Sequence, residues 1–243
     1  DRSYRRKYGT FHYMDINLGK RFTLGVLDCI IWKYDSTRTY DITYLNPVLF
    51  LRPAEFSIGS PDNAMMGLNF KFKVNSHNSI YGQAILDEFK IDEVKAGNGW
   101  WANKHGFQLG LHSFSIFKIK RLDFSSEFNY VRPYTYQHRS TGTAYAHFNQ
   151  PLAHPLGANF WESVSSLNYS IKRWHLFSRM SLARVGYDRD SLGNLINYGN
   201  NVLLSYETRP NEYGNETGQG LTTSLIKDRK STRLNSSHVA LSR

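Results

Sequence analysis

The chain of 243 residues is long enough for one sizeable domain, and its single cysteine, Cys29, excludes an intramolecular disulfide framework and any cysteine-rich metal centre. The formal charge of +10 gathers at the two ends, with +4 after residue 226 and +3 in the first seven residues, so a basic nucleic-acid-binding domain loses most of its support. Aromatic residues make up 15% of the chain while mean hydropathy is only -0.50, which suits a wall that is apolar on one face and wet on the other.

No apolar run approaches the ~18 residues of a membrane helix, so membrane passage would require strands. The chain lacks an initiating Met and an N-terminal signal peptide, which points to a fragment or a mature form.

The first ten residues show no period. FHYMDINL and RFTLGVLDCIIW flank Gly19-Lys20 and predict a hairpin across a two-residue turn, with Met14, Ile16 and Leu18 opposite Phe22, Leu24 and Val26. Asp28 interrupts that apolar face. From Lys33 to Ala64 the chain carries Pro47, Pro53 and Pro61, so it reads as a folded loop in which TYLNPVLFLRPAEF supplies a short helix or strand. MGLNFKFKV is the cleanest strand, its Met66, Leu68, Phe70, Phe72 and Val74 alternating with Gly67, Asn69, Lys71 and Lys73. NSHN then turns the chain into SIYGQAILDEF.

A loop over Lys90–His105 precedes GFQLGLHSFSIF, whose phase slips between Leu111 and Phe114 and predicts a bulge. LDFSSEFNYV follows, with Leu122, Phe124, Phe128 and Tyr130 on one face and Asp123, Glu127 and Asn129 on the other. The long segment Arg132–Phe160 leads to WESVSSLNYSI and WHLFSRMSLARV, where Trp174, Leu176, Met180 and Leu182 oppose His175, Arg179 and Ser181. A further loop covers Gly186–Gly199, and the pattern fades after Arg209.

About nine strands thus alternate between tight turns and long loops, the rhythm of an all-β, antiparallel up-and-down transmembrane β-barrel with long outer loops. Apolar faces would meet lipid, and an interior holding Lys71, Lys73, Asp123, Glu127, Asn168 and Arg179 must be hydrated or ion-paired. Trp32, Tyr81, Tyr130, Trp161 and Trp174 are expected as interfacial girdles. Residues 1–226 are assigned to this barrel domain, incomplete at both ends. Residues 227–243 resemble translated sequencing-adaptor read-through and are set aside as a non-native tail.

The Trp100-Trp101 pair is a candidate platform for sugar or lipid, the alternative being an interfacial anchor or a cap over the barrel mouth. Asp87, Glu88, Asp92 and Glu93 lack the glycine-punctuated calcium-loop pattern, which favours ion pairing or solvation. His138, His147 and His154 stand nine and seven residues apart, a spacing that fits neither a zinc signature nor a helix face, and nothing pairs a particular Ser with a particular His. No metal, cofactor or catalytic residue is therefore expected. Arg132, Arg139 and Asn149 with Tyr134 and Tyr136 are candidates for glycan binding, the arginines answering acidic sugars and the tyrosines stacking. Equally, QPLAHPLGANF reads as a structural plug.

The segments YLNPVLFLRPAEFSIGSPDNAMMGLNFKFKV, YGQAILDEF, NGWWANKHGFQLGL, EFNYVRPYTYQHR and HFNQPLAHPLGANFWE resemble the Bacteroidetes branch of the Wzi-like capsule-assembly outer-membrane proteins, which includes RemB-like gliding-motility proteins. The resemblance spans roughly residues 40–185. It implies a non-enzymatic barrel in the bacterial outer membrane, at the cell surface, with surface polysaccharide and outer-membrane lipid as its partners, in capsule attachment or gliding-linked adhesion. The alternative from another class is a channel for a small or hydrophobic solute.

Overall fold

The computed structural model describes residues 6–34, 42–45, 62–190 and 192–234, the last thirteen as backbone only. Nine strands form one antiparallel sheet in which each neighbour in sequence is the neighbour in space: β1 (Lys7–Leu18), β2 (Phe22–Lys33), β3 (Asn63–Lys73), β4 (Asn78–Glu88), β5 (Lys104–Ser113), β6 (Leu122–Val131), β9 (Phe160–Ile171), β10 (Trp174–Tyr187) and β11 (Leu221–Leu234). The sheet is open, since no pairing joins β1 to β11 among the described residues. Between β6 and β9 a two-residue ladder, β7 (Ala146–His147) with β8 (Gln150–Pro151), makes a separate small hairpin.

One end of the sheet carries the turns at 19–21, 74–77, 114–121 and 172–173; the other carries the long connections at 34–62, 89–103, 132–159 and 188–220. The first hairpin pairs Leu18 with Phe22, Ile16 with Leu24 and Met14 with Val26, as the apolar alternation requires, but its turn has three residues, not two. β1 begins at Lys7, inside the stretch that lacked sequence period.

The expected bulge in the fifth strand is absent. β5 pairs continuously with β6 and simply stops at Ser113, and the phase slip at Phe114 belongs to a turn in which Ser115, Phe117, Lys118 and Arg121 all take positive φ. The ladder irregularity lies instead on β4, between Leu86 and Glu88. The fourth long connection runs past Gly199 to residue 220, with a β-bridge between Arg189 and Leu195 and a 3-10 turn at Tyr206–Thr208. β11 then pairs along its whole length with β10 and takes in residues 227–234, part of the segment set aside in the sequence. Of TYLNPVLFLRPAEF, all but the 3-10 turn Ile42–Leu45 lies outside the described residues.

Register fixes which side chains share a face, because alternate residues point to opposite sides. On the outer face, Met14, Ile16 and Leu18 of β1, Leu68 and Phe72 of β3, Phe107, Leu109 and Leu111 of β5, and Leu176 and Met180 of β10 are all exposed. Soluble monomers rarely expose an apolar surface continuous over so many strands. The inner face carries Lys71, Lys73, Gln83, Gln108, Asp123, Glu127, Asn129, Glu162 and Arg179, and its polar groups bond across strands. Tyr81 donates to Glu127 at 2.9 Å, Gln108 to Asn129 at 3.0 Å, and Ser181 to Glu162 at 2.8 Å.

Tyr81 therefore points inward, not to an interfacial girdle. Its ring lies over Gly110 on the neighbouring strand, where any side chain would overlap it; Phe70 covers Gly82 in the same way on the outer face. Of the other expected girdle residues, Tyr130 and Trp161 pair on the outer face at the loop end and Trp174 stands exposed at the turn end. Trp32, at the loop end, is buried between Tyr8 and Tyr44.

The core sits at the loop end of the inner face. Cys29, Met65, Val131, Phe160, Ala183 and Val185 from the strands pack against Tyr136, Ala146, Ala158 and Val202 from the loops. A smaller cluster of Ile30, Trp32, Tyr44 and Ala64 lies on the outer face. This explains why β2 is buried on both sides near its end.

Candidate binding site

Three long connections interlock over the loop end of the inner face, and asparagines do most of the joining. Asn159, held at φ 57, donates to the carbonyls of Gly186, Tyr198 and Gln219 and accepts from Gly218 N, tying the 132–159 loop to the 188–220 loop. Asn197 bonds Gln137, Ser205 and Thr208, and Asn215 reaches Gly99 and Asn211. Asp188 accepts backbone N–H bonds from Tyr198, Asn200 and Asn201; burial nonetheless holds its carboxyl above the usual range. Such side chains suit loops because one carboxamide or carboxylate satisfies several backbone groups that no ladder reaches.

The aromatic residues singled out from sequence belong to this assembly. Trp101 donates through Nε1 to Glu212 at 2.8 Å, lies 4.7 Å from the Tyr206 ring, and carries the Arg209 guanidinium 4.0 Å over its own ring. These contacts make it a wedge within the cap. Trp100 is half-buried beneath Lys90 Nζ at 5.6 Å. Tyr134 is fully buried with positive φ, its hydroxyl donating to Asn197 O, and burial pushes that hydroxyl's pKa up. Tyr136 is likewise buried, stacked on Tyr145 at 5.7 Å, with its backbone N–H on Asp87. Arg132 donates to Asn215 O at 2.8 Å. Arg139, in an exposed pair with Glu207 at 3.3 Å, and Asn149, at the exposed tip of the β7–β8 hairpin, are presented outward, with Trp100 partly so.

Of the four acidic candidates, Asp87 and Glu88 each lie 3.3 Å from Lys104 Nζ, and Glu93 pairs with Lys90; Asp92 sits exposed on the short helix α1 (Ile91–Ala96). Lys104 is wholly buried, donates to Gln137 O at 3.1 Å and lies 4.9 Å over Tyr206, so it is the cation around which the cap closes.

The histidines are apart. His138 Nδ1 donates to Thr143, whose hydroxyl donates on to Ser140 O, and burial pulls the imidazole down to about 4. His154 Nε2 meets Glu162 at 3.1 Å, and His147 is exposed beside Phe148. Among the described residues no three His, Cys, Asp or Glu side chains converge as a metal site.

Sequence reasoning missed the recess beneath this cap, a space of about 280 Å³. Its floor is a row of carboxamides, Asn69, Gln83, Gln108 and Asn129, placed directly opposite one another on β3, β4, β5 and β6. Its roof is Tyr136, Tyr145 and His154 of the 132–159 loop, and Val131 and Phe160 of the sheet close one side. Each of the four amides sits at a polar position of its own alternating strand, but only the register reveals that they form one row. No family model, no curated protein and no solved structure matches the chain.

Proposed function

We propose that the chain forms the wall of an outer-membrane β-barrel that holds surface polysaccharide at the cell exterior without chemically changing it. The observation that carries the membrane reading is the two-faced sheet, with an exposed apolar outer surface and a hydrogen-bonded polar inner one. Its strands run from 10 residues in β5 and β6 to 14 in β10 and β11. Ten residues at ~3.3 Å each, tilted ~40°, reach roughly 25 Å, the height of a barrel's apolar band. The turn-and-loop asymmetry supports the same reading, as does the aromatic pairing of Tyr130 with Trp161 at the loop end.

The interlocked loops favour a holding role over a solute channel, because a cap tied by buried asparagines and a buried lysine closes the loop end of the inner face. Arg139, Asn149 and the half-exposed Trp100 are the surface side chains of that cap through which a polysaccharide would be gripped. Heat-modifiable migration of the protein from an outer-membrane fraction tests the barrel. A combined Trp100→Ala, Arg139→Ala and Asn149→Ala variant tests the grip: it should insert normally and lose retention of surface polysaccharide. Unchanged retention in the inserted variant, or large single-channel conductance in planar bilayers, refutes the holding role.

A further inference from the structure

We propose that the recess beneath the cap is a second binding site, built for a neutral pyranose unit. The proposal rests on the polysaccharide reading for the source of its ligand, a chain end, but not for its chemistry.

The floor supplies the first argument. Asn69, Gln83, Gln108 and Asn129 lie in one cross-strand row, so four planar amides repeat at the ~4.8 Å spacing of neighbouring strands. An amide presents an acceptor oxygen beside two donor hydrogens, which complements hydroxyl groups that both donate and accept. The row is already half organised. Gln108 donates to Asn129 at 3.0 Å, Asn129 donates to Glu127 at 3.0 Å, and Asn69 exchanges hydrogen bonds with Tyr13. Gln83, exposed in the middle of the row, has no hydrogen-bond partner among the described residues.

Charge and shape supply the second. No Lys, Arg, Asp or Glu lines the recess. The one titratable ring there besides the tyrosines, His154, accepts from Leu156 N at Nδ1 and engages Glu162 through Nε2, the bonding of a neutral imidazole, and burial lowers its pKa. An anionic sugar would lose its hydration and face the Glu127 and Glu162 carboxylates that hold Asn129 and His154 at the edge of the recess, whereas a neutral one exchanges water for amides. Opposite the amides, the partly exposed Tyr145, backed by the buried Tyr136, offers ring surface for a C–H face of a pyranose, while Phe160 is wholly buried against His154. The volume of about 280 Å³ lies near the lower end of the roughly 300–1,000 Å³ of ligand pockets, which suits one sugar unit better than a chain running through.

The test uses the full chain in a zwitterionic, sugar-free detergent, with saturation-transfer NMR and calorimetric titration of D-glucose, D-galactose, D-mannose and N-acetylglucosamine. D-glucuronate serves as the charged comparator. At least one neutral sugar should bind saturably and D-glucuronate should fail. Gln83→Ala, which removes no internal hydrogen bond, should weaken binding about fivefold to tenfold, and Arg139→Ala should leave it unchanged. Binding of an oligosaccharide series should scale with the number of chains, not of residues, if the chain end is the ligand; scaling with residues refutes the chain-end source.

Absence of saturable neutral binding, equal binding of D-glucuronate, or an unaffected Gln83→Ala protein overturns the site. If polysaccharide retention by the intact protein persists in that event, the surface reading stands and only the recess falls. If retention also fails while the recess binds sugar, the surface reading falls alone.

Discussion

Replacing Lys104 with Met should unlatch the cap. The Lys104 ammonium is fully buried, 3.3 Å from Asp87 and 3.3 Å from Glu88, and donates to Gln137 O. At an effective dielectric of ~20 each ion pair at that distance contributes about 5 kcal/mol of attraction before desolvation is charged against it. Methionine fills similar volume without charge, so the substitution leaves the Asp87 carboxylate buried without this cation, a change that costs ~3–5 kcal/mol. Chemical unfolding of the detergent-solubilised protein, followed by tryptophan fluorescence, reads the loss directly, since the Trp101 ring lies 6.0 Å from Lys104 Nζ. Adding Asp87→Asn to Lys104→Met should restore about half the loss, because the uncompensated charge is gone. A Lys104→Met protein within 1 kcal/mol of the wild type, or a double variant no more stable than the single one, would refute the buried-cation account.

Other consequences are equally direct. Trp101→Ala empties the space between Tyr206 and Arg209 and should cost about 2 kcal/mol, less than the ~3–5 of a fully buried tryptophan, with faster amide exchange in 205–219 while Trp100→Ala leaves those amides protected. Because the His138 pKa is held at about 4, the unfolded loop takes up a proton first as pH falls. Stability of the 138–143 turn should thus be full above pH ~6.5, decline between ~6.5 and ~4 by up to about 3 kcal/mol, and then level off. Exchange protection measured across that range checks the sign, and His138→Asn should abolish the dependence. Gly110→Ala places a methyl against the Tyr81 ring and breaks its bond to Glu127, so a loss of ~1–3 kcal/mol in urea unfolding is expected, with relief in a Tyr81→Ala background.

The sequence by itself determined the strands as far as β10, their two faces and the alternation of turns with loops, but not β11, which forms in the stretch where the pattern had faded. Period-two patterning in MGLNFKFKV or LDFSSEFNYV leaves no choice about which residues share a side, and the pairing of Met14, Ile16 and Leu18 with their partners follows from apolar matching. It could not determine the length of β5, since Phe114 and Phe117 continue an apolar composition through residues whose positive φ ends the strand. Nor could it show that Trp101, Tyr134 and Tyr136 would be consumed by the cap, because their partners Glu212, Asn197 and Asp87 stand 49 to 111 residues away. The amide row is of the same kind. Asn69, Gln83, Gln108 and Asn129 are ordinary polar residues on four separate strands, and only interstrand register, a property of the folded sheet, sets them side by side.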